Sequence, residues 1–334
     1  MKERFDKPGI TVLMTVYNGE RHIAEAVASI LNQDFTDFEL LIIDDGSTDG
    51  TASVIAQFND PRIRVLHNGA NKGVAVSRNS GLYAARGQYI SILDSDDIAL
   101  PNRLSLQYQF LTANPTVALC GGQAILIDGS GNQIGTFEQV PVGSEHLAMH
   151  LLFRDIFINP SCMFRRSAAL QLGGYRDLGV AEDFEFYYRM SNTYVVANLP
   201  DFLIKYRIHQ HNISVLRAEE SRRVERMIFS DIFRQLGLYG EPRLLDVHHS
   251  LFLRTWEKFR TRDYLNLLIR LNTANKNSNK YDIDAFASYL FDQWALILSQ
   301  RKSRRTVIFT YFNPAIFQWR FFRWRVFLKL LRRR

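Results

Sequence analysis

Three carboxylates, Asp94, Asp96 and Asp97, follow directly on the apolar run Tyr89-Ile90-Ser91-Ile92-Leu93. Such a run reads as a buried strand, and in an open α/β sheet ligands gather at the carboxyl ends of the strands. Three like charges this close repel one another, which is tolerable if a cation sits among them or if solvent and helix amides share the load. Hard oxygen ligands suit Mg²⁺ or Mn²⁺, ions that take one or two carboxylates, water and the oxygens of a phosphate substrate. For Asp97 a plainer use stands beside this one, as the cap of a helix that begins near Pro101.

A second apolar run, Phe38 to Ile43, also ends in acid, at Asp44-Asp45-Gly46-Ser47-Thr48-Asp49-Gly50. A nucleotide offers a base and ribose for hydrogen bonding and a diphosphate that wants a metal, and two acidic strand ends could serve the two parts. The alternative is a turn in which Asp and Ser cap the next helix. Neither G-x-G-x-x-G nor G-x-x-x-x-G-K-[ST] occurs, so phosphate would be held by metal and not by a backbone nest.

The elements that must carry these groups alternate. Ile10 to Val16 is a strand closed by Tyr17-Asn18-Gly19. Ile23, Ala26, Val27, Ile30 and Leu31 then fall on one face of a helix. A short helix over 51–58, a strand over 62–66 and a helix over 73–85 lead back to the aspartate strand. This order predicts an α/β fold, a mostly parallel sheet flanked by helices. Asp128-Gly129-Ser130-Gly131 reads as a hairpin turn, and strands are expected at 162–164 and 202–206. Beyond about residue 216 helical spacing recurs at 224–238, 249–259, 264–271 and 283–298. Polar Asn272 to Lys280 reads as a loop.

With 334 residues the chain exceeds one typical domain. Cys120 and Cys162 have neither the number nor the spacing of a disulfide framework or zinc site, which suits a reducing compartment. The charged start lacks the core of a signal peptide, and no run of apolar residues is long enough to span a bilayer, so a cytoplasmic protein is expected. The net charge of +7 is a poor average. Eleven of the 41 Lys and Arg lie in 301–334, which holds no acid, leaving 30 against 34 acidic residues before it.

Seven stretches in order carry a resemblance: Val12 to Asn18, Leu41 to Asp49, Asn71-Lys72-Gly73 with Arg78-Asn79, Leu93 to Asp97, Gly173-Gly174-Tyr175, Glu182-Asp183, and Tyr206-Arg207-Ile208-His209. Over roughly residues 8–215 the chain resembles the family 2 glycosyltransferases, inverting nucleotide-sugar enzymes with a GT-A fold. The resemblance implies that Thr15, Tyr17, Asn18 and Asp45 line the base and ribose pocket, with Asp44 bracing the loop, that Asp94 and Ser95 border the diphosphate, and that Arg78 contacts either the diphosphate or an aspartate of the metal site. Arg78 reads equally as a surface arginine. Asp94 and Asp96 would hold Mn²⁺ or Mg²⁺, with Asp97 behind them, and His209, in preference to His211, would approach the metal. Asp183 matches the general base, with Glu182 orienting the acceptor or its neighbours, although an acid in a first helical turn is favoured whatever its function. Asn159-Pro160-Ser161 reads either as a border of the acceptor site or as a turn.

The domains expected are therefore 1–215 for transfer, 216–300 as a helical region and 301–334 as a basic aromatic tail. On a helix Phe317, Phe321, Trp324, Leu328 and Leu331 would share a face free of basic residues. Basic residues among Trp and Phe suit an anionic membrane surface; a helix packed on its own domain or on a partner is the alternative. No nucleic-acid-binding motif accompanies the charge, so nucleic acid is not an expected partner. The expected function is transfer from a nucleotide-sugar donor, a UDP-sugar, to a glycan or lipid-linked glycan hydroxyl at the inner face of the cell membrane. A nucleotidyltransferase would need a Gly-rich basic loop that 15–19 lacks. A non-catalytic nucleotide-sugar or glycan-binding subunit would not need Asp183.

Overall fold

A computed structural model describes residues 7–137, 140–144, 146–209, 216–301, 310–324, 327 and 328. The chain divides into two compact units, Met1–Ala148 with Asp155–Val224, and Met149–Arg154 with Glu225–Arg334.

The first unit is built on one sheet of nine strands: β1 Ile10–Val16, β2 Phe38–Asp44, β3 Ile63–His67, β4 Tyr89–Ile92, β5 Ile98–Ala99, β6 Val117–Ile127, β7 Gln133–Thr136, β8 Met163–Arg165 and β9 Val195–Arg207. Their order is β3-β2-β1-β4-β8-β6-β9-β5, with β7 paired on β6. β1, β2, β3 and β4 are parallel, as alternating strands and helices require. Past β4 the sheet is mixed: β8 runs antiparallel to β4 and β6, β5 to β9, and β6 to β7, while β6 and β9 are parallel. The apolar strand residues are covered on both faces. Ile10, Val12, Met14, Leu40 and Ile42 are buried with Ile23, Ala26, Val27 and Ile30 of the Ile23–Leu31 helix, the face that the spacing marks.

The Val74–Ala84 helix is drawn tightly onto β1. A Cβ built at Gly81 would stand 2.2 Å from Leu13 Cδ1, so a side chain there would force the Leu13 tip to move. Gly73, at φ +89°, turns the chain into that helix.

Elsewhere the structure departs from the periodicities. The helix after β2 stops at Ile55 instead of reaching 58. In the second unit the helices are Pro242–Phe252, Thr261–Ser278 and Ile283–Ser299, with Ala218–Gln235 crossing into it. The expected 249–259 helix therefore lies earlier, and the polar stretch 272–280 is helix through Ser278. Its Asn275 is buried and works as a clasp, donating to Tyr281 O and accepting from Tyr281 N, while Asn279 takes a left-handed conformation that ends the helix.

Among the described residues of the tail, Gln318 and Phe322 are extended on either side of a 3₁₀ turn, Trp319–Phe321, which interrupts the continuous helix that the spacing suggests; Leu331 of its expected face lies outside the described residues. Tyr311 is fully buried against Phe291, and Trp294 Nε1 donates to Thr310 O. Arg320 grips both oxygens of Asp284, and Arg323 pairs with Asp292. Among the described residues no helix is long and apolar enough to cross a membrane.

Candidate active site

The acidic strand end lies beside the ends of β1 and β9. Leu93 N donates to Leu13 O, and the short β5 that follows Asp97 pairs with β9 in the register Ile98↔Lys205. Three buried arginines surround the loop. Arg207 donates through Nε to Asp96 O and through its backbone N–H to Asp97 Oδ1 at 2.7 Å, and its guanidinium reaches Glu25 Oε2 and the carbonyls of Asp128 and Gly129. Beneath the loop Arg103 donates to Ile92 O at 2.6 Å, and burial lowers its pKa to about 10. Arg78, 5% exposed, donates to Asp94 Oδ1 at 3.2 Å and to Glu182 Oε1 at 2.5 Å, which removes the surface-arginine alternative.

Asp97 is 1% exposed, and no side-chain cap forms on the helix that starts at Arg103; a solvated capping turn is not what Asp97 makes. Its Oδ2 is buried with no hydrogen-bond partner, and burial with the Asp96 and Asp94 charges raises its pKa well above the usual carboxylate range. Burial and Asp94 raise Asp96 in the same sense, while His209 Nε2, 2.9 Å from Asp96 Oδ2, opposes them. His209 also stacks on His22, whose pKa is lowered by burial, Arg207 and His209. His211 lies outside the described residues.

Asp94 also accepts from Asn159 Nδ2 on both oxygens at 3.2 Å, and Asn159 Oδ1 accepts from the buried Tyr187 hydroxyl. A continuous chain therefore runs Glu182–Arg78–Asp94–Asn159–Tyr187. It begins and ends on one helix, Glu182–Thr193, which opens after Ala181 in a left-handed conformation. Glu182 is pushed up to about 7 by burial, against the pull of Arg78, with Asp183 adding to the rise. Asp183 is partly buried, and its Oδ1 accepts from Phe184 N.

The second acidic strand end is a braced loop. Asp45 accepts from Asn68 Nδ2, Lys72 N and Gly73 N, and Asp44 accepts from Ser47 N and meets His67 Nδ1 at 3.1 Å. Helix starting falls to Asp49, which accepts from both the backbone N and the hydroxyl of Thr51. Asn18 joins β1 to this loop, donating from its N–H to Ser47 Oγ and accepting from Thr48 N. Thr15 is partly buried at the end of β1 and Tyr17 is 49% exposed beside it, while Ser95 approaches Gly19. Of the residues expected at a nucleotide and diphosphate site, Thr15, Tyr17, Asn18, Asp45, Asp94 and Ser95 lie at or just past the ends of β1, β2 and β4, and Arg78 reaches Asp94 from the Val74–Ala84 helix. Among the described residues no three His, Cys, Asp or Glu side chains converge to enclose a metal ion by themselves.

Comparison with known proteins gives this arrangement its context. Residues 11–173 match the family model described as glycosyl transferase family 2. An uncharacterized glycosyltransferase of Methanocaldococcus jannaschii is 31% identical over 227 residues, covering 66% of this chain and 78% of the relative. A UDP-Glc:α-D-GlcNAc-diphosphoundecaprenol β-1,3-glucosyltransferase of Escherichia coli is 36% identical over 121 residues, 36% of this chain and 48% of that protein. The crystal structure of S. aureus TarS in complex with UDP-GlcNAc shares the fold, with a TM-score of 0.60 at 19% identity over 90% of this chain and 89% of that one. The likeness in sequence runs through both acidic strand ends and the likeness in fold through the sheet that carries them, so the chain belongs to glycosyl transferase family 2 and is a glycosyltransferase of the GT-A type.

Proposed function

We propose that the protein transfers a sugar from a UDP-sugar to a hydroxyl of a glycan acceptor, with inversion at the anomeric carbon, in the synthesis of a cell-surface polysaccharide. The observation that carries this reading is the chain Glu182–Arg78–Asp94–Asn159, which joins the acidic strand end to the helix bearing Asp183. Asp183 takes the proton of the acceptor hydroxyl as its oxygen bonds to the anomeric carbon. The bond from that carbon to the diphosphate oxygen breaks, and its electron pair leaves with the nucleoside diphosphate. Thr15, Tyr17, Asn18 and Asp45 hold base and ribose; Arg78 and Ser95 border the diphosphate.

Asp94 and Asp96 suit Mn²⁺ or Mg²⁺, since their carboxylates, pressed together with Asp97, provide hard oxygens and surplus negative charge. The ion would supply Lewis-acid stabilisation of charge on the departing diphosphate. His209 orients Asp96, and Glu182 orients the acceptor side through Arg78. The E. coli relative's diphosphoundecaprenol-linked acceptor supports a lipid-linked acceptor here, met at the inner face of the cell membrane with the basic tail on anionic lipid.

The test is nucleoside diphosphate release from a panel of sugar nucleotides with Mn²⁺, with Mg²⁺ and after exhaustive chelation. Slow hydrolysis of one UDP-sugar, lost on chelation and restored by the ion, is expected. Equal turnover after chelation would overturn the metal role, and release of inorganic pyrophosphate would overturn sugar transfer.

A further inference from the structure

The ladder that fixes the acidic loop also sets an aromatic pair beside it. Tyr206 lies between Lys205, which pairs with Ile98, and Arg207, whose backbone N–H donates to Asp97 Oδ1, and on its other side it pairs with Leu126 of β6. Phe137 ends the β6–β7 hairpin, its N–H on Ala124 O, and packs its ring edge-to-face on Tyr206, with centroids 5.8 Å apart at 75°. Phe137 is 39% exposed although it is a large apolar ring, while Tyr206 is partly buried.

Thr15 and Asp45 end β1 and β2 in the parallel half of the sheet. Tyr206 and Phe137 belong to β9 and the hairpin in the other half, with the acidic loop between. In the transfer proposed above the acceptor enters opposite the nucleotide, and this half of the sheet lies across the acidic loop from the strand ends that carry Thr15 and Asp45. A pyranose presents an apolar face of C–H groups and a rim of hydroxyls, matched by an exposed ring with a phenol and carboxylates at its edge.

From these features we infer that Phe137, braced edge-to-face by Tyr206, is the platform on which a pyranose ring of the acceptor stacks. The assignment rests on the transfer reaction proposed above. It is tested by saturation-transfer NMR with the methyl pyranosides of glucose, galactose, mannose and N-acetylglucosamine, on wild type, Phe137→Ala and Phe137→Trp. Donor hydrolysis without acceptor is measured alongside. At least one pyranoside binds wild type through its ring protons; Phe137→Ala weakens that binding about tenfold, the loss of one aromatic contact, and Phe137→Trp retains it. Donor hydrolysis is the same in all three. Undiminished binding by Phe137→Ala, or no pyranoside bound by wild type, overturns the platform. No hydrolysis of any donor alongside Phe137-dependent sugar binding would instead sink the transfer reaction and leave the platform standing.

Discussion

Arg78 and Glu182 form an ion pair 2.5 Å apart, with both side chains less than one-tenth exposed, across 104 residues of sequence. The same guanidinium holds Asp94, so the acidic strand end and the start of the Glu182–Thr193 helix share one charge.

Removing that charge strands two carboxylates. Arg78→Ala is expected to lower stability by about 3–5 kcal/mol, the cost of leaving a buried charge unpaired, and Arg78→Lys by less. Thermal and urea unfolding check this. Glu182 has a pH signature of its own: its folded pKa, about 7, lies above the ordinary 4.5, so it contributes stability that is full below 4.5 and lost as pH rises through 7. Glu182→Gln should flatten that part of the stability–pH curve between 4.5 and 7; an unaltered slope would refute the assignment.

Asp183→Asn keeps shape and removes the proton acceptor. Transfer should fall about 10²- to 10⁴-fold, while nucleotide binding by calorimetry stays near the wild-type value. Full activity in this variant would rule out Asp183 as base.

His248 in the second unit is fully buried among Phe153, Phe229 and Phe233, and burial pushes it down to about 3 against an opposing interaction from the Leu152 backbone. The folded state therefore rejects a proton that the unfolded chain accepts below 6.5. Stability from this site is present above pH 6.5 and lost as pH falls toward 3. His248→Leu should remove this acid sensitivity. Melting temperatures of both proteins at pH 7.5 and pH 5 measure it: the wild type should lose more between them than the variant.

Trp319 and Trp324 are 77% and 64% exposed within the basic tail, although Tyr311 is buried. If this face meets anionic lipid, Trp319→Ala with Trp324→Ala should weaken binding to phosphatidylglycerol vesicles severalfold, and added salt should weaken it further. Vesicle sedimentation decides it, and unchanged binding removes the membrane role.

How much of this was legible beforehand depended on sequence distance. The parallel half of the sheet and the two acidic strand ends are local patterns, each written within a dozen residues, and both could be read directly. The supports of the acidic loop could not. Asn159 acts on Asp94 from 65 residues away, and Arg207 meets Asp96 across 111. Tyr206 and Arg207 stood within a quoted motif, but only the β5–β9 register gives them neighbours. The stretch 272–280 was misread because polar composition says loop, whereas a buried Asn275 satisfied by Tyr281 is a tertiary fact.

Arg207 reaches the turn of the β6–β7 hairpin through the main-chain oxygens of Asp128 and Gly129. Bonds to main-chain oxygens do not depend on which side chains the hairpin carries, so the exposed residues of β7 can vary without loosening these two contacts.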